Sequence, residues 1–289
     1  MGTHTIKKGG ACVVLEGGGV KCAYQYGALR ALEKRYGSVR AAVSALTGEE
    51  LGGFAGSSFG ALGSAVMLAG GTDALQDLWN AVLTEGVFRD PGIAGVLEGA
   101  FRRRLPRDIP SAARLFWLFA EPSACMRDVS RRYYDFVAGR VDEGAARRSG
   151  LALGLTAVEL FDAEDLRGVC RLREFDLDGI EEGLLPDCVA ASAAFPLLRP
   201  KRIGAKLFSD GGILDNIPVS MMEKRGFTSA LVIRACSSEP KIRWTRGIRV
   251  GAIAPSRPLG SPALFTGDNV REMIALGEHD ALRTRPFDG

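Results

Sequence analysis

Gly56-Ser57-Ser58-Phe59-Gly60 has the G-x-S-x-G spacing of a nucleophile elbow, the sharp strand-to-helix turn that exposes a serine. The flanking glycines let the backbone bend, and their positions select Ser58 over its neighbour Ser57 as the nucleophile. Small and apolar residues over 61–69 predict a helix whose positive end lies under Ser58. The stretch therefore predicts a serine nucleophile in an α/β protein.

A second glycine turn lies upstream, at Gly17, Gly18 and Gly19. The apolar run 11–15 predicts a strand before it, and apolar residues at helical spacing predict a helix over 20–36. Amides at a helix start have no partner inside the helix, so this turn can hold a developing oxyanion. A plain tight turn is the alternative. A dinucleotide loop is a weaker one, because that loop has a third glycine near position 22, where this chain has Cys22.

The candidate base is Asp210, which precedes Gly211 and Gly212. The chain has only two histidines, His4 and His279, which favours a Ser–Asp pair over a Ser–His–Asp triad. An exposed aspartate has a pKa of ~3.9 and is a weak base at neutral pH. Burial in an apolar pocket raises that pKa, so a working dyad predicts a buried Asp210.

A triad of Ser58, Asp210 and His279 stays open as the alternative. Its order along the chain is that of the α/β-hydrolases, with serine first, the acid second and histidine last. Against it, His279 lies in a predicted helix beside two acidic residues, whereas a triad histidine usually sits on a loop.

The three motifs together resemble those of the patatin-like phospholipases. In that family a glycine-rich oxyanion loop follows the first strand, G-x-S-x-G follows the second, and D-G-G or D-G-A carries the base. The resemblance covers residues 11–235 and includes the stretch 190–196. It implies a lipid acyl hydrolase, a phospholipase A or carboxylester hydrolase, with Ser58 as nucleophile and Asp210 as proton acceptor. Its substrate would be a phospholipid or another acyl-ester lipid.

Two residues depart from the family loop. Cys22 stands where the family usually has glycine, and Glu16 where it often has aspartate or a small residue. Cys22 favours an inactive, patatin-fold binding or regulatory protein, whereas the intact Ser58 and Asp210 disfavour it. A transacylase also stays open, because it shares the acyl-enzyme and differs only in the acceptor.

Other polar residues near the motifs could have either a functional or a purely structural role. Lys21 is a possible headgroup contact, although a solvated lysine is the commoner case. Asp215 and Asn216 fit turn-making and capping before the helix that starts near Pro218. The chemistry needs no cofactor and no metal, and the sequence shows no clustered ligand spacing for one.

Strands alternating with helices predict a three-layer α/β/α sandwich around a central, mostly parallel sheet. Further strands are expected near 151–159, 168–172, 230–235 and 248–254. We expect a flexible tail over 1–10, a catalytic domain over 11–254 and a C-terminal extension with a last helix over 255–289. Within the domain, 72–149 is predicted to be a helical, basic, lid-like insertion with helices near 74–83, 93–105, 111–119 and 125–141.

The insertion contains a candidate membrane contact at 101–120. Between 101 and 148 there are eleven arginines against six acidic residues, and an aromatic run lies at 115–119. Aromatics that enter a lipid surface and arginines that meet anionic headgroups would give peripheral contact. The alternative is that the aromatics pack on the core while the arginines are solvated.

Composition bears on nucleic-acid binding and on the location of the protein in the cell. The net charge of +3 is too small to indicate nucleic-acid binding. The six cysteines are scattered and form no C-x-x-C pair, which favours reduced thiols and a cytoplasmic location. Export by a specialised secretion system, the oligomeric state and the need for an activating partner stay open.

Overall fold

The computed structural model describes residues 9–85, 124–160, 170–195, 198–238, 247–262 and 265–287. The predicted tail up to residue 8, the predicted helices 93–105 and 111–119, and the candidate membrane contact at 101–120 lie outside these residues. The division of the chain into tail, catalytic domain, insertion and extension stays a prediction.

Five parallel strands form the centre of one sheet, in the order β3-β2-β1-β7-β8. Three further strands are antiparallel: β4 and β6 both pair with β3, and β5 pairs with β6. The predicted strands are confirmed as β1, β3, β4, β7 and β8, whereas β5 and β6 were not predicted. The strands span Ala11–Leu15 (β1), Leu51–Ser57 (β2), Ala152–Leu160 (β3), Cys170–Asp176 (β4), Lys201–Ile203 (β5), Lys206–Asp210 (β6), Ser229–Ile233 (β7) and Arg249–Ile253 (β8).

Helices cover both faces of this sheet. The predicted helix 20–36 begins as a 3-10 turn, Gly19–Cys22, and continues as α1. The predicted helices 61–69 and 74–83 form the two halves of α3, which is kinked at the non-helical residue Gly71 (φ 68°). In the described residues the helices span Ala23–Tyr36 (α1), Val39–Thr47 (α2), Phe59–Thr84 (α3), Ala124–Ala138 (α4), Glu143–Arg148 (α5), Leu185–Ser192 (α6), Val219–Lys224 (α7) and Gly267–Leu282 (α8).

Strand β1 lies at the middle of the core and alternates between two apolar clusters. Ala11, Val13 and Leu15 face the larger cluster, which includes α1, α2 and α3, while Cys12 and Val14 face a smaller one built around α7. Every residue of β1 is buried, as expected for a parallel strand covered on both faces. The predicted α/β/α sandwich with a mostly parallel sheet is therefore confirmed.

The last helix packs directly on the first. A Cβ added at Gly27 would lie 2.0 Å from the carbonyl oxygen of Ile274, and one added at Gly277 would lie 2.0 Å from that of Tyr24. The two helix backbones therefore cross in contact at these two glycines. Part of the predicted C-terminal extension thus packs on the same core as the catalytic motifs.

The strand register brings two segments end to end. Residues 157–160 of β3 pair with β4 and with β6, whereas residues 154–156 pair with β4 and with β2. Because β4 occupies one edge throughout, β2 and β6 share the other edge. Ser57 lies opposite Thr156, and Asp210 lies opposite the next residue, Ala157. The end of β2 therefore meets the end of β6.

Candidate active site

Ser58 lies on a strained turn between β2 and α3. Its backbone has φ 55° and ψ −130°, and it is the only non-glycine with positive φ in the described chain. Non-glycine residues rarely adopt such angles, and when they do the site is often functional. A Cβ at Gly56 would lie 2.3 Å from the carbonyl oxygen of Gly60, and one at Gly60 would lie 2.3 Å from that of Leu15. Both flanking glycines are thus needed for the tight packing of the elbow.

The hydroxyl of Ser58 points at Asp210. Ser58 Oγ donates a hydrogen bond of 2.6 Å to Asp210 Oδ2, and the Gly212 amide donates one of 2.8 Å to Oδ1. Asp210 is 5% exposed, while Ser58 is half-buried. Next to the aspartate, Gly211 lies against the main chain of Thr156, where a Cβ would approach the carbonyl oxygen to 2.1 Å. The structure thus brings together the serine, the aspartate and the D-G-G turn.

Burial raises the pKa of Asp210 from 3.8 to about 6, against the hydrogen bonds from Ser58 and Gly212, which lower it. The carboxyl remains mostly ionised at pH 7, but it holds a proton more strongly than an exposed aspartate does. The folded-state pKa lies above the unfolded one, so this group's contribution to stability falls as pH rises from about 4 to about 6. This loss of stability accompanies a carboxylate that is a stronger base than an exposed aspartate.

Aromatic side chains surround the elbow. The ring of Phe59, the residue after the nucleophile, lies 6.2 Å from that of Trp79, 6.5 Å from that of Tyr133 and 6.0 Å from that of Phe265. Tyr133 also donates a hydrogen bond of 2.9 Å to the carbonyl of Ala193, and burial raises its pKa well above 10, with the Asp210 charge adding to the shift. Phe59 belongs to the elbow motif, whereas Trp79, Tyr133 and Phe265 come from the end of α3, from α4 and from the segment before α8, where no sequence motif marked them.

The glycine loop lies against the nucleophile. A Cβ at Gly17 would lie 2.9 Å from the carbonyl oxygen of Ser57 and 3.1 Å from Ser58 Cβ, so only glycine fits there. The Gly17 amide donates to the carbonyl of Asn216 at 3.2 Å, and the Val20 amide donates to that of Pro262 at 3.0 Å. Gly19 has φ 57°. Within the described residues, the Gly18 amide bonds only to the thiol sulfur of Cys22, a weak acceptor, and the Gly19 amide has no acceptor. These two amides are therefore the candidate oxyanion donors.

Sequence reasoning missed two residues that hold these segments together. Asn216 Nδ2 donates to the carbonyl of Gly17 at 2.9 Å, and Ser192 Oγ accepts from the Ser58 amide at 3.0 Å. Asn216 was expected to be a turn residue, and Ser192 lies in the stretch that the family resemblance marked without giving a role. Asp215 does serve the expected turn, since its carboxylate accepts from the Ile217 amide at 3.3 Å.

The two departures from the family loop are both buried. Cys22 Sγ donates to the carbonyl of Glu16 at 3.5 Å, and burial raises the pKa of this thiol. Glu16 Oε2 accepts from Arg234 Nε at 2.8 Å. Cys22 therefore lies behind the loop, where its thiol also bonds to the Gly18 amide and leaves the Gly19 amide unblocked. Lys21 is half-buried beside the same loop, so its role in headgroup binding stays a prediction.

His279 lies on α8, and the structure does not bring it to the dyad. Its side chain is 58% exposed, and Nδ1 lies 3.1 Å from Oδ1 of its neighbour Asp280. In the described structure, the Asp210 carboxylate accepts hydrogen bonds from the Ser58 hydroxyl and the Gly212 amide. This geometry disfavours the triad.

The described ranges contain no group of three or more His, Cys, Asp or Glu side chains placed to hold a metal ion. They also contain no helix long and apolar enough to cross a membrane.

Comparison with known proteins gives one family. A family model described as patatin-like phospholipase matches residues 13–222. No curated protein sequence matches the chain.

Three solved structures are similar to this chain. VipD from Legionella pneumophila is 12% identical over 96% of this chain and 66% of its own, with a TM-score of 0.49. Human GIVD cytosolic phospholipase A2 is 11% identical over 80% of this chain and 46% of its own, with a TM-score of 0.46. The type III effector protein ExoU is 17% identical over 95% of this chain and 52% of its own, with a TM-score of 0.40. The chain spans about two thirds of the length of VipD and about half that of the other two.

We predict that Ser58→Gly is more stable than Ser58→Ala. Alanine keeps the Cβ that strains this backbone, at a cost of about 1–3 kcal/mol, whereas glycine relieves the strain and loses about 0.5–1 kcal/mol of it to chain entropy. Urea denaturation should show a net advantage of about 1 kcal/mol for glycine. At Ser57, in ordinary strand geometry, the order should reverse. Equal or lower stability of Ser58→Gly would contradict the strained geometry.

Proposed function

Because the chain belongs to the patatin-like phospholipase family, we propose that it is a lipid acyl hydrolase with a Ser58–Asp210 dyad. Family membership supports lipid hydrolysis in general. The finer proposal, a phospholipase A or carboxylester hydrolase, rests on one observation above all. The hydroxyl of an accessible serine on a strained elbow donates to a buried carboxylate 2.6 Å away.

In the first half-reaction, Ser58 Oγ attacks the ester carbonyl carbon while its proton passes to Asp210 Oδ2. The carbonyl oxygen becomes an oxyanion in a tetrahedral intermediate. The intermediate then collapses, the bond to the leaving alcohol breaks, and the protonated Asp210 gives its proton to that alcohol. An acyl-enzyme on Ser58 remains.

In the second half-reaction, Asp210 takes a proton from water, which attacks the acyl carbon. Collapse of this second intermediate releases the fatty acid, and Ser58 Oγ recovers its proton from Asp210. A pKa of about 6 suits both directions of transfer better than that of an exposed aspartate. The same acyl-enzyme would serve a transacylase, in which another hydroxyl replaces water.

The oxyanion donors in this proposal are the amides of Gly18 and Gly19. The sequence suggested all three glycines of the loop, but the Gly17 amide is engaged with Asn216. One such donor typically lowers the barrier by ~3–4 kcal/mol, because it acts on charge that exists only in the transition state. Gly17 contributes instead by letting the loop approach Ser58.

The surroundings of the dyad support an acyl substrate. Phe59, Trp79 and Tyr133 are buried and make the interior behind the elbow apolar. An acyl chain bound against that side of the site would gain free energy by leaving water. Lys21, beside the oxyanion loop, is the proposed contact for an anionic headgroup.

Two observations count against the alternatives, a catalytic triad and an inactive binding protein. His279 bonds to Asp280 rather than to Asp210, which counts against a triad. Cys22, the feature that favoured an inactive binding protein, lies behind the loop with its thiol turned to the carbonyl of Glu16. A cytoplasmic location is supported by free thiols at the five cysteines whose side chains the structure describes: Cys12, Cys22, Cys170, Cys188 and Cys236.

Hydrolysis of a fluorogenic phospholipid and of a short p-nitrophenyl ester tests the dyad. We expect Ser58→Ala and Asp210→Asn each to lower kcat by at least about 10³-fold, because each removes a reacting group. His279→Ala, the matched control, should keep activity within about twofold. Loss of activity in a folded His279→Ala would support the triad instead, and an inactive wild type would favour the binding protein or a missing activator.

Peripheral membrane contact through 101–120 is also part of the proposal. Truncating Phe116 and Trp117 together to alanine should weaken binding to anionic liposomes about tenfold or more, because both aromatics would lose their place in the lipid interface. Sedimentation with vesicles measures this, and hydrolysis of the short soluble ester serves as the control for folding. Unchanged vesicle binding would show that these aromatics serve the core.

A further inference from the structure

We propose that Glu16, through its buried ion pair with Arg234, is a positioning residue that fixes the direction of the Gly18 and Gly19 amides. The inference rests on the proposed function, since those amides matter only if they hold an oxyanion. Glu16 is the residue between β1 and the glycine loop, and Arg234 directly follows β7.

Both oxygens of the Glu16 carboxylate have polar partners. Oε2 accepts from Arg234 Nε at 2.8 Å and from the Ala235 amide at 2.7 Å, and Oε1 lies 3.5 Å from Arg234 Nη2. Glu16 is 5% exposed and Arg234 is 4% exposed. Two opposite charges so deeply buried hold each other in place, because either one alone would be strongly unfavourable there. The end of β1 is therefore locked to the end of β7.

The main chain of Glu16 is held as firmly as its side chain. Its carbonyl oxygen accepts from Gln25 Nε2 at 2.7 Å, and its amide donates to the carbonyl of Ile233 at 3.2 Å. The loop that starts at Gly17 therefore leaves from a point fixed on the sheet and on α1.

The pair also sets what the loop packs against. A Cβ at Gly18 would lie 2.6 Å from Ala235 Cβ, so the residue whose amide Glu16 holds is the one that supports Gly18. Asn216 Nδ2 lies 3.5 Å from Glu16 Oε1 and 2.9 Å from the carbonyl of Gly17. Glu16 is thereby connected to both sides of the site: the glycine loop and the turn that follows Asp210.

A buried ion pair is weak evidence of a role in stability alone, since apolar side chains of similar volume often do as well. Here the pair lies at the edge of the sheet where β1, β2 and β7 end, beside the nucleophile. An ion-paired arginine at the opposite end of the strands, with a side chain that is 8% exposed, offers a control. Arg225 is paired with Asp176 at 2.7 Å, and its Nη1 lies 3.5 Å from the carbonyl of Leu153, near the start of β3.

The test compares Glu16→Gln, Arg234→Met, the double variant and Arg225→Met. Active sites are counted by complete titration with a long-chain alkyl fluorophosphonate, so that unfolded protein does not enter the rate. We expect kcat per titrated site to fall roughly 10- to 100-fold in the first two variants with KM nearly unchanged, because oxyanion contacts act in the transition state. Their affinity for a trifluoromethyl ketone, which forms an oxyanion on the serine, should fall in parallel.

The remaining variants separate positioning from stability. The double variant should lose no more kcat than the worse single variant, since both changes break one pair. Arg234→Lys keeps the charge without the forked geometry and should recover part of the loss. Arg225→Met should lower the melting temperature and leave kcat per titrated site within about twofold.

Wild-type kcat per titrated site in Glu16→Gln, or an equal loss in Arg225→Met, would overturn the positioning role while hydrolysis itself stands. If Glu16→Gln fails to fold, Arg234→Lys and Arg234→Met decide in the same way. An inactive wild type overturns the proposed function and this inference together.

Discussion

The hydrogen bond from Ser58 to Asp210 is the contact on which the rest of the site depends. It exists because β2 and β6 end against each other on one edge of β3, so the first residue after β2 meets the last residue of β6. Asp210 lies in the interior, and burial raises its pKa to about 6. Burying this carboxylate costs about 3 kcal/mol at neutral pH for a shift of that size, and the raised pKa suits the base that we propose for the serine proton.

Backbone-to-backbone contact is the second constraint. Gly60 rests on the carbonyl of Leu15, Gly17 rests on Ser58, and Gly211 rests on the carbonyl of Thr156. Side chains at these three places would push the elbow, the glycine loop and the D-G-G turn apart. Polar side chains then fix the distances between these segments: Asn216 joins the loop to the turn, and Ser192 holds the amide of the nucleophile. The site is thus assembled from main chain first and oriented by a few buried polar groups.

The sequence predicted the features that depend on contiguous residues. The G-x-S-x-G spacing gave Ser58, the glycine run after an apolar strand gave the loop, and D-G-G gave Asp210, because each motif is a contiguous turn with its own backbone requirement. Strand β6 was missed because its five residues are of mixed polarity and its place comes from pairing with β3. Arg234 was missed for a similar reason: its partner, Glu16, lies 218 residues away, and no local pattern marks such a pair.

The pH dependence of kcat/KM for a soluble ester tests the buried base most directly, in the wild type and in His279→Ala. The account predicts that kcat/KM rises with pH to a plateau with an apparent pKa of about 6, as Asp210 in the free enzyme loses its proton. The profile should be the same in both proteins, because His279 lies on α8 and bonds to Asp280. An inflection that disappears in His279→Ala, or none at all between about pH 5 and 7, would contradict it.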